Sequence, residues 1–141
     1  TGPTGAPGPT GPTGPTGGST GQVLYNSAGV STGSANLTFN GTNLVCGGTI
    51  TSNSDESLKT NWREFPLNFI EQLAQVKNGV FDRIDMQATQ VGVSANSLQN
   101  VLPNAVHKDD NGILSVAYGN AALAACVQLA KRIIELEKKL T

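Results

Sequence analysis

Glycine at every third place constrains a chain more than any other short pattern, and residues 1–17 keep it strictly, at Gly2, Gly5, Gly8, Gly11, Gly14 and Gly17. Pro3, Pro7, Pro9, Pro12 and Pro15 lie between them, with threonine in most remaining places. Three polyproline-II chains wound together bring every third residue to an axis where only glycine fits. A flexible linker needs glycine too, but has no reason to keep it in phase. Residues 1–17 are therefore predicted to form a collagen-like triple helix about 50 Å long. That makes the chain one of three identical chains. So short a repeat, with threonine where hydroxyproline would stiffen it, needs a clasp further along.

Residues 18–53 change character. Short β-prone pieces, Val23-Leu24-Tyr25, Leu37-Thr38-Phe39 and Leu44-Val45-Cys46, alternate with turn signals at Asn26 to Gly29, Asn40-Gly41 and Gly47-Gly48. Asn-Gly between apolar runs is a strong hairpin cue. Each piece has too few apolar residues for a core of its own, so a β-rich fibre shaft packed between chains is expected.

Residues 54–141 hold nearly all the charge and the only strong helical periodicity. Pro66 suits a first turn, and Leu67, Ile70, Leu73 and Ala74 recur at helical spacing until Asn78-Gly79. Val80 to Met86 reads as a strand, Ala95 to Leu102 as a short helix stopped by Pro103, and Asp109 to Gly112 as the turn of a hairpin. From Asn120 a helix runs to the end. In it Ala122, Cys126, Leu129, Ile133, Leu136 and Leu140 alternate in steps of four and three, a coiled-coil seam with Arg132 and Glu137 placed to pair between parallel neighbours. Isoleucine at a with leucine at d favours two strands, and the three-chain requirement of the glycine repeat overrides it. The predicted class is α+β: a collagen-like triple helix, a short interchain β-rich shaft, then a helix-rich trimeric domain ending in a coiled coil.

The junction Thr51-Ser52-Asn53-Ser54-Asp55-Glu56-Ser57-Leu58-Lys59-Thr60-Asn61 admits two readings, and both can hold. Ser52 with Asp55, or Asn53 with Glu56, fits a capping box at a helix start. Ser54 with Lys59 also fits a nucleophile and its base, since a lysine amine accepts a proton once burial or a neighbouring cation such as Arg63 lowers its pKa. Within one α-helix, residues five apart diverge by about 140° around the axis. The two side chains meet only if Ser54 precedes the helix.

Ser-Asp-Glu-Ser-Leu-Lys-Thr-Asn, from Ser54 to Asn61, resembles the opening signature of the endosialidase-type intramolecular chaperone domain at the C-terminal end of phage tail spikes and fibres. The similarity continues through Gln90-Val91-Gly92-Val93-Ser94-Ala95, Val101-Leu102-Pro103, the Asp109 to Tyr118 hairpin and the closing helix. Ser57 departs from the family, which usually has a charged or larger polar residue there. Together with the glycine repeat and the β-prone pieces, the resemblance divides the chain into a collagen-like repeat at 1–17, a shaft segment at 18–53 and the chaperone domain it implies at 54–141. It also implies a homotrimer that forms first, templates the shaft, and then releases itself by cleavage at Asn53-Ser54. In that reaction Ser54 is the nucleophile, Lys59 the general base, and no cofactor or metal is needed. This would be a single-turnover serine autopeptidase of a virion appendage, assembled in the bacterial cytoplasm.

Other features carry less. A net charge of −1, without a basic cluster, gives no reason to expect nucleic acid, and no apolar run is long enough for a membrane span. The chain opens in mid-repeat without a signal-peptide pattern, as a fragment would. Cys46 and Cys126 with the single His107 make no zinc set. Asp109-Asp110-Asn111-Gly112 lacks the later glutamate of a calcium loop. Trp62, Phe65 and Phe69 are expected to pack near Lys59. Two further functions stay open: an uncleaved, receptor- or glycan-binding fibre tip, and a spore-surface collagen-like protein, whose expected all-β ending does not match residues 54–141.

Overall fold

The structure, a computed structural model, describes residues 1–10 and 17–141. They form two compact units, Thr1–Thr60 and Asn61–Thr141.

The first unit is built on one antiparallel sheet of β1 (Gln22–Ser27), β2 (Val30–Phe39) and β3 (Leu44–Cys46), in that order. Ala28 and Gly29 join β1 to β2 with φ of 51° and 86°. Two successive positive φ values define the two-residue turn whose twist matches a hairpin. Alanine is strained there, and the Gly29 amide, donating to Asn26 Oδ1 at 2.7 Å, ties the turn shut. Asn40 Oδ1 closes the β2–β3 connection in the same way, accepting from the amides of Thr42 and Asn43. The register slips between Gln22 and Val23, which face Thr38 and Ser34, so three residues of β2 bulge out. Cross-strand pairing then puts Tyr25, Val30, Leu37, Phe39, Leu44 and Cys46 on one face. None of them is buried, and no described residue of this unit is. All nine basic and ten acidic side chains of the protein lie at or beyond Asp55, so the sheet is also without charge.

The second unit has a small core: Phe69, Val76, Leu98, Leu102 and Ala105. Phe69 comes from α1 (Phe69–Leu73) and stacks on Phe65 at 4.6 Å. The hairpin β4 (Asn78–Arg83) and β5 (Ala88–Val93) follows, then α2 (Ala95–Leu98), capped by Ser94, whose hydroxyl accepts from the Ser97 amide. A second hairpin, β6 (Val106–Lys108) and β7 (Leu114–Val116), turns on Asp109, whose Oδ1 accepts from the amides of Asn111 and Ile113. The chain ends in α3 (Tyr118–Leu140), 23 residues with none buried. Its start is fixed by the Tyr118 hydroxyl, which accepts from the Val93 amide at 3.3 Å and lies where a Cβ on Gly92 would be. Ala121, Ala125 and Gln128, half-buried, turn α3 towards its own unit, and Arg132 continues that side to Glu71 at 3.6 Å. Arg132 thus has an ion-pair partner within its own chain. The predicted seam residues from Ala122 to Leu140 are all exposed.

The expected class does not survive. The protein is a small assembly of short antiparallel sheets with one long C-terminal helix, and neither a triple helix nor a helix-rich domain is present among the described residues. Residues 1–10 form no helix or strand. Gly11 and Gly14, together with Pro12 and Pro15, lie outside the described residues. The expected helices shrink to five residues at α1 and four at α2. Runs that short do not repay helix nucleation on their own, and their apolar side chains reach the core from turns instead. Within one chain α3 is a single helix whose seam residues face solvent.

Candidate active site

Ser54 and Lys59 meet. Asp55, at φ −60° and ψ 138°, N-caps a single 3-10 turn, Glu56–Leu58, and Lys59 leaves it in extended backbone at φ −128° and ψ 142°. Three residues at three per turn complete one full circle. The chain therefore enters and leaves on the same side, and the divergence of a longer helix never develops. Lys59 Nζ donates to Ser54 Oγ at 2.6 Å and to the Ser54 carbonyl oxygen at 2.8 Å. That is within the reach a general base needs.

The turn is held by Asp55 and not by Ser52 or Asn53. Its Oδ1 accepts from the Ser57 amide at 2.8 Å and from the Ser57 hydroxyl at 2.5 Å. The Leu58 and Lys59 amides close the turn onto the carbonyls of Asp55 and Glu56. The Ser57 hydroxyl, then its amide, then the nearby Lys59 charge hold the Asp55 carboxyl below the ordinary aspartate range. A lowered folded value means that the cap is fully formed above the unfolded value and is lost as pH falls through the folded one. An NMR titration of the Asp55 side-chain carbon should accordingly give a midpoint below 3.8, the usual value. A midpoint at or above it would contradict the cap.

Asn53, Ser54, Asp55, Ser57 and Lys59 are all exposed. Arg63 is exposed as well, and Trp62 is 70% exposed, while Phe65 and Phe69 belong to the packing of the second unit. The role of Ser57 was not evident from the sequence. The signal for it was a serine two residues after an aspartate, the spacing at which a carboxylate takes a backbone amide.

Against known families, residues 54–107 match one described as chaperone of endosialidase. The match opens on Ser54, takes in Lys59, and spans less than half of the chain. It supports an intramolecular chaperone role of the kind associated with phage tail proteins, and with it a virion setting. No curated protein and no solved structure matches the chain.

Proposed function

We propose that three copies of this chain assemble into a phage tail fibre or spike and that residues 54–141 act as the intramolecular chaperone for the residues ahead of them. The chain then cuts itself at Asn53-Ser54. The observation that carries this reading is the 2.6 Å contact between Lys59 Nζ and Ser54 Oγ, at the residue where the family match opens. As Ser54 Oγ attacks the Asn53 carbonyl carbon, Lys59 takes the hydroxyl proton. The five-membered intermediate opens by breaking the C–N bond, and the proton goes to the Ser54 nitrogen. An ester now joins Asn53 to Ser54 Oγ. Water hydrolyses it to an Asn53 carboxylate and a Ser54 bearing a free amine and hydroxyl. A lysine serves as base in its neutral form, and burial of the turn by neighbouring copies would favour that form.

Two surfaces support self-association. The apolar face of the β1–β3 sheet is uncovered, and a three-stranded sheet without a buried residue has little to offset its ordering entropy. The outer side of α3 carries Leu129, Ile133 and Leu136, each about half exposed. Tethering three chains through residues 54–141 raises the local concentration of the remaining segments, which lets their pairing outrun loop-closure entropy. A host-surface receptor or glycan is the expected partner of the finished fibre, and assembly takes place in the bacterial cytoplasm.

The test is a denaturing gel of the chain beside Ser54→Ala and Lys59→Ala. The expected result is a wild type split into residues 1–53 and 54–141, with both variants intact. A wild type that stays whole would instead make the protein an uncleaved fibre tip.

A further inference from the structure

We infer that Asp55 and Ser57 are positioning residues for the Ser54–Lys59 pair, a role that rests on the self-cleavage reading above. Lys59 reaches Ser54 only because the helix stops after one turn. A helix running on through Lys59 would set the two side chains about 140° apart around its axis. Two contacts favour the short turn. The Asp55 carboxylate occupies the Ser57 amide, and the Ser57 hydroxyl folds back onto the same Oδ1. The carboxylate is thereby committed to the residue three places beyond Ser54, and the peptide between them is fixed on both sides. These bonds join Asp55 and Ser57 to each other and not to the Asn53 carbonyl, so they shape the turn and not the reacting bond.

Aspartate and asparagine are interchangeable as cap acceptors, whereas alanine is not. Serine and threonine share the hydroxyl. Self-cleavage of the full chain should therefore slow roughly fivefold in Asp55→Ala, a typical cap loss, and recover to within about twofold of wild type in Asp55→Asn. Ser57→Ala should slow it by about half as much, with Ser57→Thr restoring it. The melting profile of all four variants should match wild type, because the turn is exposed and outside the core. A second readout does not need cleavage. In the full chain labelled at lysine and serine, the nuclear Overhauser contact between the Lys59 ε-protons and the Ser54 β-protons should be present in wild type and Asp55→Asn and lost in Asp55→Ala. Asp55→Ala cutting at the wild-type rate, or keeping that contact, overturns the positioning role. A wild type that keeps the contact and never cuts overturns the self-cleavage reading instead.

Discussion

Phe69→Ala is expected to lower the stability of residues 61–141 by about 3–5 kcal/mol, read as a fall in the urea midpoint of their unfolding. The ring is 2% exposed and is the largest fully buried side chain among the described residues. It sits between Phe65 and a core of only four other buried residues. A core that small has few neighbours able to close over the cavity, so the loss should fall at the upper end for a buried aromatic. Whole domains are stable by about 5–15 kcal/mol, so a loss of this size takes much of what there is. A change under about 1 kcal/mol would mean that the core lies elsewhere.

In the three-copy assembly proposed above, Ile133→Glu is expected to shift sedimentation equilibrium from trimer to monomer while leaving helicity by circular dichroism unchanged. Ile133 is 53% exposed, and the side of α3 that packs on its own unit is occupied by Ala121, Ala125 and Gln128. Within a single chain the new carboxylate stays in water at little cost. Around a threefold axis three such groups would be desolvated beside one another, which costs several kcal/mol per ion. A variant that remains a trimer would place the interface away from α3.

Local chemistry made part of this fold legible. Three of the four described hairpin turns announced themselves through Asn26 to Gly29, Asn40-Gly41 and Asp109 to Gly112, because an Asx side chain and a glycine settle a turn without outside help. The final helix could be seen because its apolar pattern persists long enough to rule out a strand. Its first residue could not, since Tyr118 is fixed by a hydrogen bond from Val93, 25 residues away. The first half of β2, Val30 to Ala35, has almost no strand signal of its own and is drawn into the sheet by its register with β1. The same limit explains the overestimated helices. Spacing such as Leu67, Ile70, Leu73, Ala74 fits a long helix or a single turn equally well, and packing around Phe69 decided for the single turn. At the candidate site the angular mismatch of residues five apart required Ser54 to precede the turn. The capping-box pattern pointed to Ser52 or Asn53 as the cap, whereas the Asp55 side chain takes that place.

The division of charge has a consequence for timing. A fragment ending at Asn53 would carry no ionised side chain over residues 1–53 and would present its exposed apolar face to water. Under the proposed self-cleavage, the charged second half would act on that face as a covalently attached detergent. Severing the link too early would then leave a sticky ribbon to precipitate with whatever it met. A safe cut would wait until sister ribbons had covered the grease.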